Sequence, residues 1–239
     1  MKYDRVERGC YQSPPITRAS IYFISVKNIK TNFMSDLNKK NLPLPEQTEG
    51  SQKDIQDSLE FSTIQDAHAF YLEAKNRLLD VNQWGDICGE ASATFELTDE
   101  KGTHIDGVPK VGTYFKIDVP GPGTVAGKGF DWVKVEEVTE KTREPDMEFM
   151  LMRVRPASDP TSPNESTAHF FSEKATSNFL ALRENLKVTV AVLGRNEVAN
   201  TKEDDSFLDK IRNFVVGTSA QLGMADPQWE SLVKGVLAD

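Results

Sequence analysis

The chain reads as α+β, with an antiparallel meandering sheet between an early helix and a helical C-terminus. Three patterns carry this. Ala67, Phe70, Tyr71, Ala74, Leu78 and Val81 recur at helical spacing and form one apolar stripe. About a hundred residues of strand-like segments follow, parted by turn chemistry and with no helix among them. Two further amphipathic stretches close the chain. Without helices between strands there are no parallel crossovers, which argues against a doubly wound nucleotide fold.

Residues 1–33 carry six basic side chains (Lys2, Arg5, Arg8, Arg18, Lys27, Lys30) against Asp4 and Glu7, a local +4 in a chain of net charge −9. The charge balance changes sign at Met34, which opens Met-Ser-Asp-Leu-Asn-Lys-Lys, so residues 1–33 are read as a basic extension and Met34 as the initiator, a basic arm being the alternative. The short run Ile21–Val26 has no small-residue cleavage site after it and does not read as a signal peptide. Residues 34–58 are rich in Asn, Lys, Pro, Gln, Glu and Ser and read as a polar linker. Residues 59–239 then form a single α+β domain, long enough to bury a sizeable core.

Within that domain Leu59-Glu60-Phe61 reads as a short strand, and Thr63-Ile-Gln-Asp66 has capping-box spacing ahead of the helical stripe. The helix is expected to stop before Gly85, with Trp84 folded back over the core. Strands are predicted over Ala93–Thr98, Gly112–Val119, Phe130–Val138, Glu148–Arg155, Thr167–Ser172, Ser177–Arg183 and Lys187–Leu193. Glu184-Asn185 is a two-residue hairpin connection, and alternation of Val188, Val190 and Val192 with Lys187, Thr189 and Ala191 predicts a sheet with one wet face. Ser206–Gly223, with Phe207, Leu208, Ile211, Phe214, Val215 and Leu222, is the expected long core helix. Asp226-Pro227 opens a short extra helix bearing Trp229, Leu232, Val233, Val236 and Leu237.

Composition narrows the function classes. No apolar run is long enough to span a bilayer, and the acidic balance disfavours nucleic acid as a partner. Two distant cysteines, Cys10 and Cys88, do not make a disulfide framework, which suits a reducing compartment; a cytoplasmic protein is expected.

The most unusual local segment is Pro120-Gly-Pro-Gly-Thr-Val-Ala-Gly-Lys-Gly129, where Gly121, Gly123, Gly127 and Gly129 crowd a loop between two strands. It lacks both the dinucleotide-binding spacing and the P-loop's Gly and Ser/Thr, so a turn or a lid over a cavity mouth outweighs a phosphate cradle. His68, His104 and His169 lie apart without companions at ligand spacing; no metal and no cofactor is expected. Cys88 with His169 is the one nucleophile–base pairing on offer, and a structural thiol outweighs it. Carboxylates such as Glu136, Glu137, Glu140, Asp204 and Asp205 read as solvated. Phe115, Ile117 and Val119, then Val133 and Val135, then Met150, Met152 and Val154 share strand faces and predict a concave apolar surface, with Met suited to a tolerant pocket or an irregular core. Arg153 and Arg155 fall on the opposite face; with Arg195, in a loop expected to enter the long helix, they are the candidate polar readers.

The order of Leu59–Phe61, Ala67–Trp84, Ala93–Leu193 and Ser206–Gly223, with the segment Leu78-Leu-Asp-Val-Asn-Gln-Trp84, resembles the helix-grip fold of the START-like and polyketide-cyclase superfamily. The resemblance covers about three-quarters of the chain; the helix over Asp226–Leu237 and the glycine-rich loop depart from it. It implies a curved sheet around a long helix with an apolar cavity between them. The leading expectation is non-catalytic binding or transport of a hydrophobic small molecule (lipid, isoprenoid or polycyclic), lined by Phe115, Met150, Met152, Val190, Ile211 and Phe214. An interaction protein with a filled core, using its C-terminal helices and Trp229 to dock a partner or form a homodimer, is the alternative. A cyclase-like or hydrolytic enzyme ranks third, because it needs a polar constellation that the sequence does not display.

Overall fold

The computed structural model describes Leu37 and residues 42–89, 92–119, 124–143, 146–200 and 225–238. Its elements are β1 (Ser51–Glu60), α1 (Ile64–Leu79), a single 3-10 turn at Val81–Gln83, α2 (Trp84–Cys88), β2 (Thr94–Thr98), β3 (Tyr114–Asp118), β4 (Asp131–Arg143), β5 (Met147–Pro156), β6 (Thr176–Glu184), β7 (Lys187–Glu197) and α3 (Ala225–Val236). The strands form one seven-stranded antiparallel sheet in the order β1-β7-β6-β5-β4-β3-β2. A first strand pairing with the last, two helices, a six-stranded meander and a C-terminal helix make the helix-grip topology, and the α+β class with its antiparallel curved sheet holds. The basic extension and the long helix expected over Ser206–Gly223 lie outside the described residues.

α1 forms as its sequence dictates. Thr63 accepts the Asp66 amide through its hydroxyl at 3.1 Å, and Ala67, Tyr71, Ala74 and Leu78 are buried along one face. The interior side of the sheet is made by Phe95 and Leu97 of β2, Phe115 and Ile117 of β3, Val133 and Val135 of β4, Met150, Met152 and Val154 of β5, Phe179 and Ala181 of β6, and Val188, Val190 and Val192 of β7. A register shift between Val135 and Glu137 bulges β4, so its inward positions continue as Val138 and Glu140, opposite Met152 and Met150.

Four expectations need correction. β1 begins at Ser51, so the end of the segment read as linker is a strand: its ladder to β7 satisfies the backbone, while only Ile55 and Leu59 supply apolar side chains. Thr167–Ser172 forms no ladder, apart from a lone bridge of Phe171 to Ala199; its amides and carbonyls bond to Ala157, Trp132, Val198 and Asn200 instead. β7 runs on through Gly194–Glu197, which is strand rather than a loop into a helix, and the tight connection before it turns at Asn185 (φ +52°) and Leu186. The helix expected as an addition, α3, is part of the core: Leu232, Val233, Val236 and Leu237 are buried with the sheet's interior face. A Cβ at Gly235 would meet the Ile87 carbonyl oxygen at 2.9 Å, so only glycine permits this approach of α3 to α2. Arg77 of α1 donates to the Val236 carbonyl at 3.0 Å and also to Ala238, tying down the end of α3.

The outer face is not wet at its centre. Phe149, Leu151, Leu180, Leu182, Ala191 and Leu193 form a second buried cluster covered by Leu37, with Leu42 and Leu44 against it. Residues 42–49 thus act as a strap across β5–β7. Asn196 anchors it: its side-chain oxygen accepts the Thr48 and Glu49 amides at 2.8 and 3.1 Å, and its side-chain nitrogen donates to the Glu46 carbonyl at 3.0 Å. Asn also tolerates the left-handed backbone there, φ +53°. Asn196→Ala removes these bonds together with the one from the Thr48 hydroxyl at 3.1 Å, and is expected to lower stability by about 2 kcal/mol in urea titration. An unchanged midpoint would show that the strap adds nothing to the fold.

Candidate functional site at the concave face

Trp84 is the centre of the concave side. It is fully buried, and its ring lies 5.2 Å from Phe95, 5.7 Å from Phe115, 4.7 Å from Phe179 and 6.3 Å from Trp229. Trp229 also packs on Phe95 and Phe179, at 5.9 and 5.4 Å. Sheet, α2 and α3 therefore meet in one aromatic cluster with edge-on and tilted contacts, each such pair adding about 0.5–1.5 kcal/mol beyond burial. Two donors in it have no hydrogen-bond partner among the described residues: the indole Nε1–H of Trp84 and the side-chain nitrogen of Gln228, whose oxygen accepts the Ala93 amide at 3.2 Å. An unanswered buried donor costs about 1–3 kcal/mol.

The sequence-predicted lining residues divide. Phe115, Met150, Met152 and Val190 are together on this face and fully buried among Trp84, α1 and α3. Ile211, Phe214, Gly121 and Gly123 lie outside the described residues. Trp229 points into the cluster, so it is not an exposed anchor for a partner. The three candidate arginines are elsewhere, each held by carboxylates. Arg153 pairs with Glu136 and Glu137 and donates to the Pro43 carbonyl. Arg155 pairs with Glu136 and donates to the Glu173 carbonyl at 2.8 Å, and buried Arg195 pairs with Asp54 at 2.7 Å. None of these faces the concave cluster; inward positions on β5 belong to the methionines.

The described end of the glycine-rich loop offers no backbone cradle at Lys128–Phe130. The amides of Lys128, Gly129 and Phe130 are spent on carbonyls of the same loop (Val125, Thr124 and Gly127), and a Cβ on Gly127 would collide with the Phe130 carbonyl oxygen. Nor do Cys88 and His169 form a pair. Cys88 approaches the Gln228 carbonyl, and burial pushes its thiol up to about 11. Burial drives the His169 imidazole down to about 3; it stays neutral, accepts the Phe171 amide at 2.9 Å and stacks on Phe170.

A polar cluster that sequence reasoning missed closes one end of the same face. Glu148 of β5 and Arg183 of β6 are register partners, paired at 3.0 Å, and His68 of α1 meets both Glu148 oxygens at 2.8 Å. Lys75 meets Glu140 at 2.9 Å nearby. The signal was present in parity: Glu148 shares the face of Met150, and Arg183 that of Ala181. Burial alone would raise the Glu148 carboxyl, but hydrogen bonds from Arg183 and His68 outweigh it and hold it below the usual range. Burial, then the charges of Glu140 and Glu148, push the Tyr71 hydroxyl up.

No protein-family model matches the chain, and neither does any curated protein. Among solved structures it is similar to the major latex-like protein 151 of Panax ginseng, at 10% identity over 79% of this chain and 97% of that one, with a TM-score of 0.33. Ara h 8.0201 matches at 11% identity over 79% of this chain and 100% of that one (TM-score 0.30). A Staphylococcus epidermidis protein solved in solution matches at 14% identity, covering 80% and 95% respectively (TM-score 0.29). The fold assignment rests on element order and strand pairing. No helix among the described residues is long and apolar enough to cross a membrane.

Glu148→Gln removes the carboxylate charge beside the buried Arg183, and a loss of about 3 kcal/mol at neutral pH is expected by denaturant titration. Because the Glu148 carboxyl is held low in the folded state, its contribution is present above the ordinary carboxylate range and lost as pH falls through the folded value. The gap between wild type and variant should therefore close in acid. A gap independent of pH would show that the carboxylate charge is not what holds the cluster.

Proposed function

We propose that the protein binds an apolar small molecule carrying one hydrogen-bond acceptor, of the lipid, isoprenoid or polycyclic kind, within the concave face. One observation carries the reading: the fully buried Trp84 indole presents an N–H with no acceptor among the described residues, inside the aromatic cluster. A carbonyl or hydroxyl oxygen of a bound molecule would answer that donor, and the rings around it would supply the rest of the contact. Phe115, Met150, Met152 and Val190 are the wall, with methionine able to repack around different shapes. Entry is assigned to α3, a twelve-residue helix whose inner side is Trp229, Leu232, Val233 and Val236. Displacing it opens the aromatic cluster without breaking the sheet.

Binding is non-catalytic on this reading. Glu148, Arg183 and His68 on the concave side are bound to one another at its end, away from the aromatic centre.

Phe115→Trp and Met152→Trp should each reduce uptake of Nile red, an uncharged probe with a carbonyl, while leaving the unfolding transition intact. Trp84→Phe keeps the ring but removes the donor, and should weaken the same probe by roughly fivefold. Native mass spectrometry of the protein as purified, followed by extraction, identifies a co-purifying molecule. Undiminished uptake in all three variants overturns the assignment of this face.

A further inference from the structure

On the outer side of the sheet, separate from the concave face, a pocket of about 180 Å³ lies between the glycine-rich loop and the turn that follows β5. We propose that this pocket binds a small oxyanion, of the carboxylate or phosphate class. Lys116 and Trp132 are register partners on neighbouring strands and line it side by side; Lys128, Thr161 and Asp159 complete its polar wall, and Phe130 supplies a ring.

Three residues that carry donors line it. The indole Nε1–H of Trp132 is buried and has no acceptor among the described residues, in a residue only 3% exposed. Lys116 Nζ sits 4.2 Å from the centre of the Phe130 ring and 3.2 Å from Glu96. Lys128 Nζ lies 3.3 Å from Asp159 and 3.4 Å from Thr161 Oγ1. An ammonium carries three N–H groups, so each lysine retains donor capacity beyond the carboxylate that positions it.

The two carboxylates at this site are already committed. Asp159 Oδ1 accepts the Thr161 amide at 2.8 Å and its hydroxyl at 2.7 Å, while Oδ2 faces Lys128. Its carboxyl is pushed up by burial but more strongly held down by Thr161 and Lys128, so it stays ionised and fixes the Lys128 ammonium at the pocket wall. Glu96 is shared between Lys116 and His104, the latter at 3.4 Å. A ligand with two or more acceptor oxygens matches one indole N–H and two ammonium groups, whereas a cation meets both lysines head-on.

The test follows the Trp132 indole ¹H–¹⁵N resonance, assigned by its absence in Trp132→Phe, or by through-bond correlation in the wild-type chain if that variant fails to fold. Sodium phosphate and sodium acetate are titrated separately to about 50 mM at constant ionic strength balanced with chloride. A saturable shift with either anion is expected, with Lys128→Gln weakening it roughly fivefold or more and Lys116→Gln/Lys128→Gln together abolishing it. Response to acetate alone assigns carboxylates, and response to phosphate alone assigns phosphates. No saturable shift with either, an equal shift with chloride, or an undiminished shift in the double variant overturns the proposal.

Discussion

Burial of the Trp84 indole ties the molecule together. A single side chain touches β2, β3, β6 and α3 through its ring contacts, and removing so large a ring from water contributes on the order of 5 kcal/mol. To deliver the ring there the chain leaves α1 at Leu79, tightens through one 3-10 turn and begins a helix of only five residues. α3 must then come close enough for Trp229 to meet the same rings, and Gly235 against Ile87 sets that distance. Helices and sheet are therefore bound by mutual requirement rather than by any one connection.

The sheet beneath is apolar on both faces at its centre, which distinguishes it from a simple meander with one side in water. Its inner face is closed by helices, its outer face by the strap around Leu42 and Leu44. β5, β6 and β7 consequently alternate between two buried clusters, and these are the strands with almost no exposed positions. At one end the inner face turns polar through Glu148 and Arg183. There a buried charge is tolerable because each group has a partner and His68 covers the carboxylate from above.

What the sequence disclosed follows from where the physical signal was strong. α1 was legible because a cap, a first-turn carboxylate and an unbroken stripe agree; the six meander strands were legible because alternation persists. β1 was not, since Ser51–Ser58 is an edge strand whose stabilisation comes from backbone bonds that leave little mark on side-chain pattern. Thr167–Ser172 failed for the opposite reason: apolar Ala168 and Phe170 imitate a strand while the backbone is satisfied by loops. Thr189 and Ala191 read with exposed Lys187 as a wet face because the centre of that face is covered only by a strap far away in sequence. At the site, the face shared by Phe115, Met150 and Met152 was readable from parity, but the convergence of Trp84 and Trp229 required tertiary structure. The cluster of His68, Glu148 and Arg183 was hidden because its members are 80 and 35 residues apart and each looks ordinary alone.

Two tryptophans whose indole donors find no acceptor among the described residues lie on opposite sides of this sheet, and their surroundings differ in chemistry. Around Trp84 the neighbours are rings and aliphatic chains, a setting in which an ion would be stripped of water with nothing to compensate it. An occupant there must be mostly apolar, with a single neutral acceptor. Around Trp132 two ammonium groups are held at fixed positions by Glu96 and Asp159, so an ion loses water but gains charge-assisted donors, and a neutral apolar molecule gains little. If both proposals hold, the same N–H group would favour opposite ligands through what packs beside it. Because the sheet separates the two faces, occupancy of one does not require occupancy of the other.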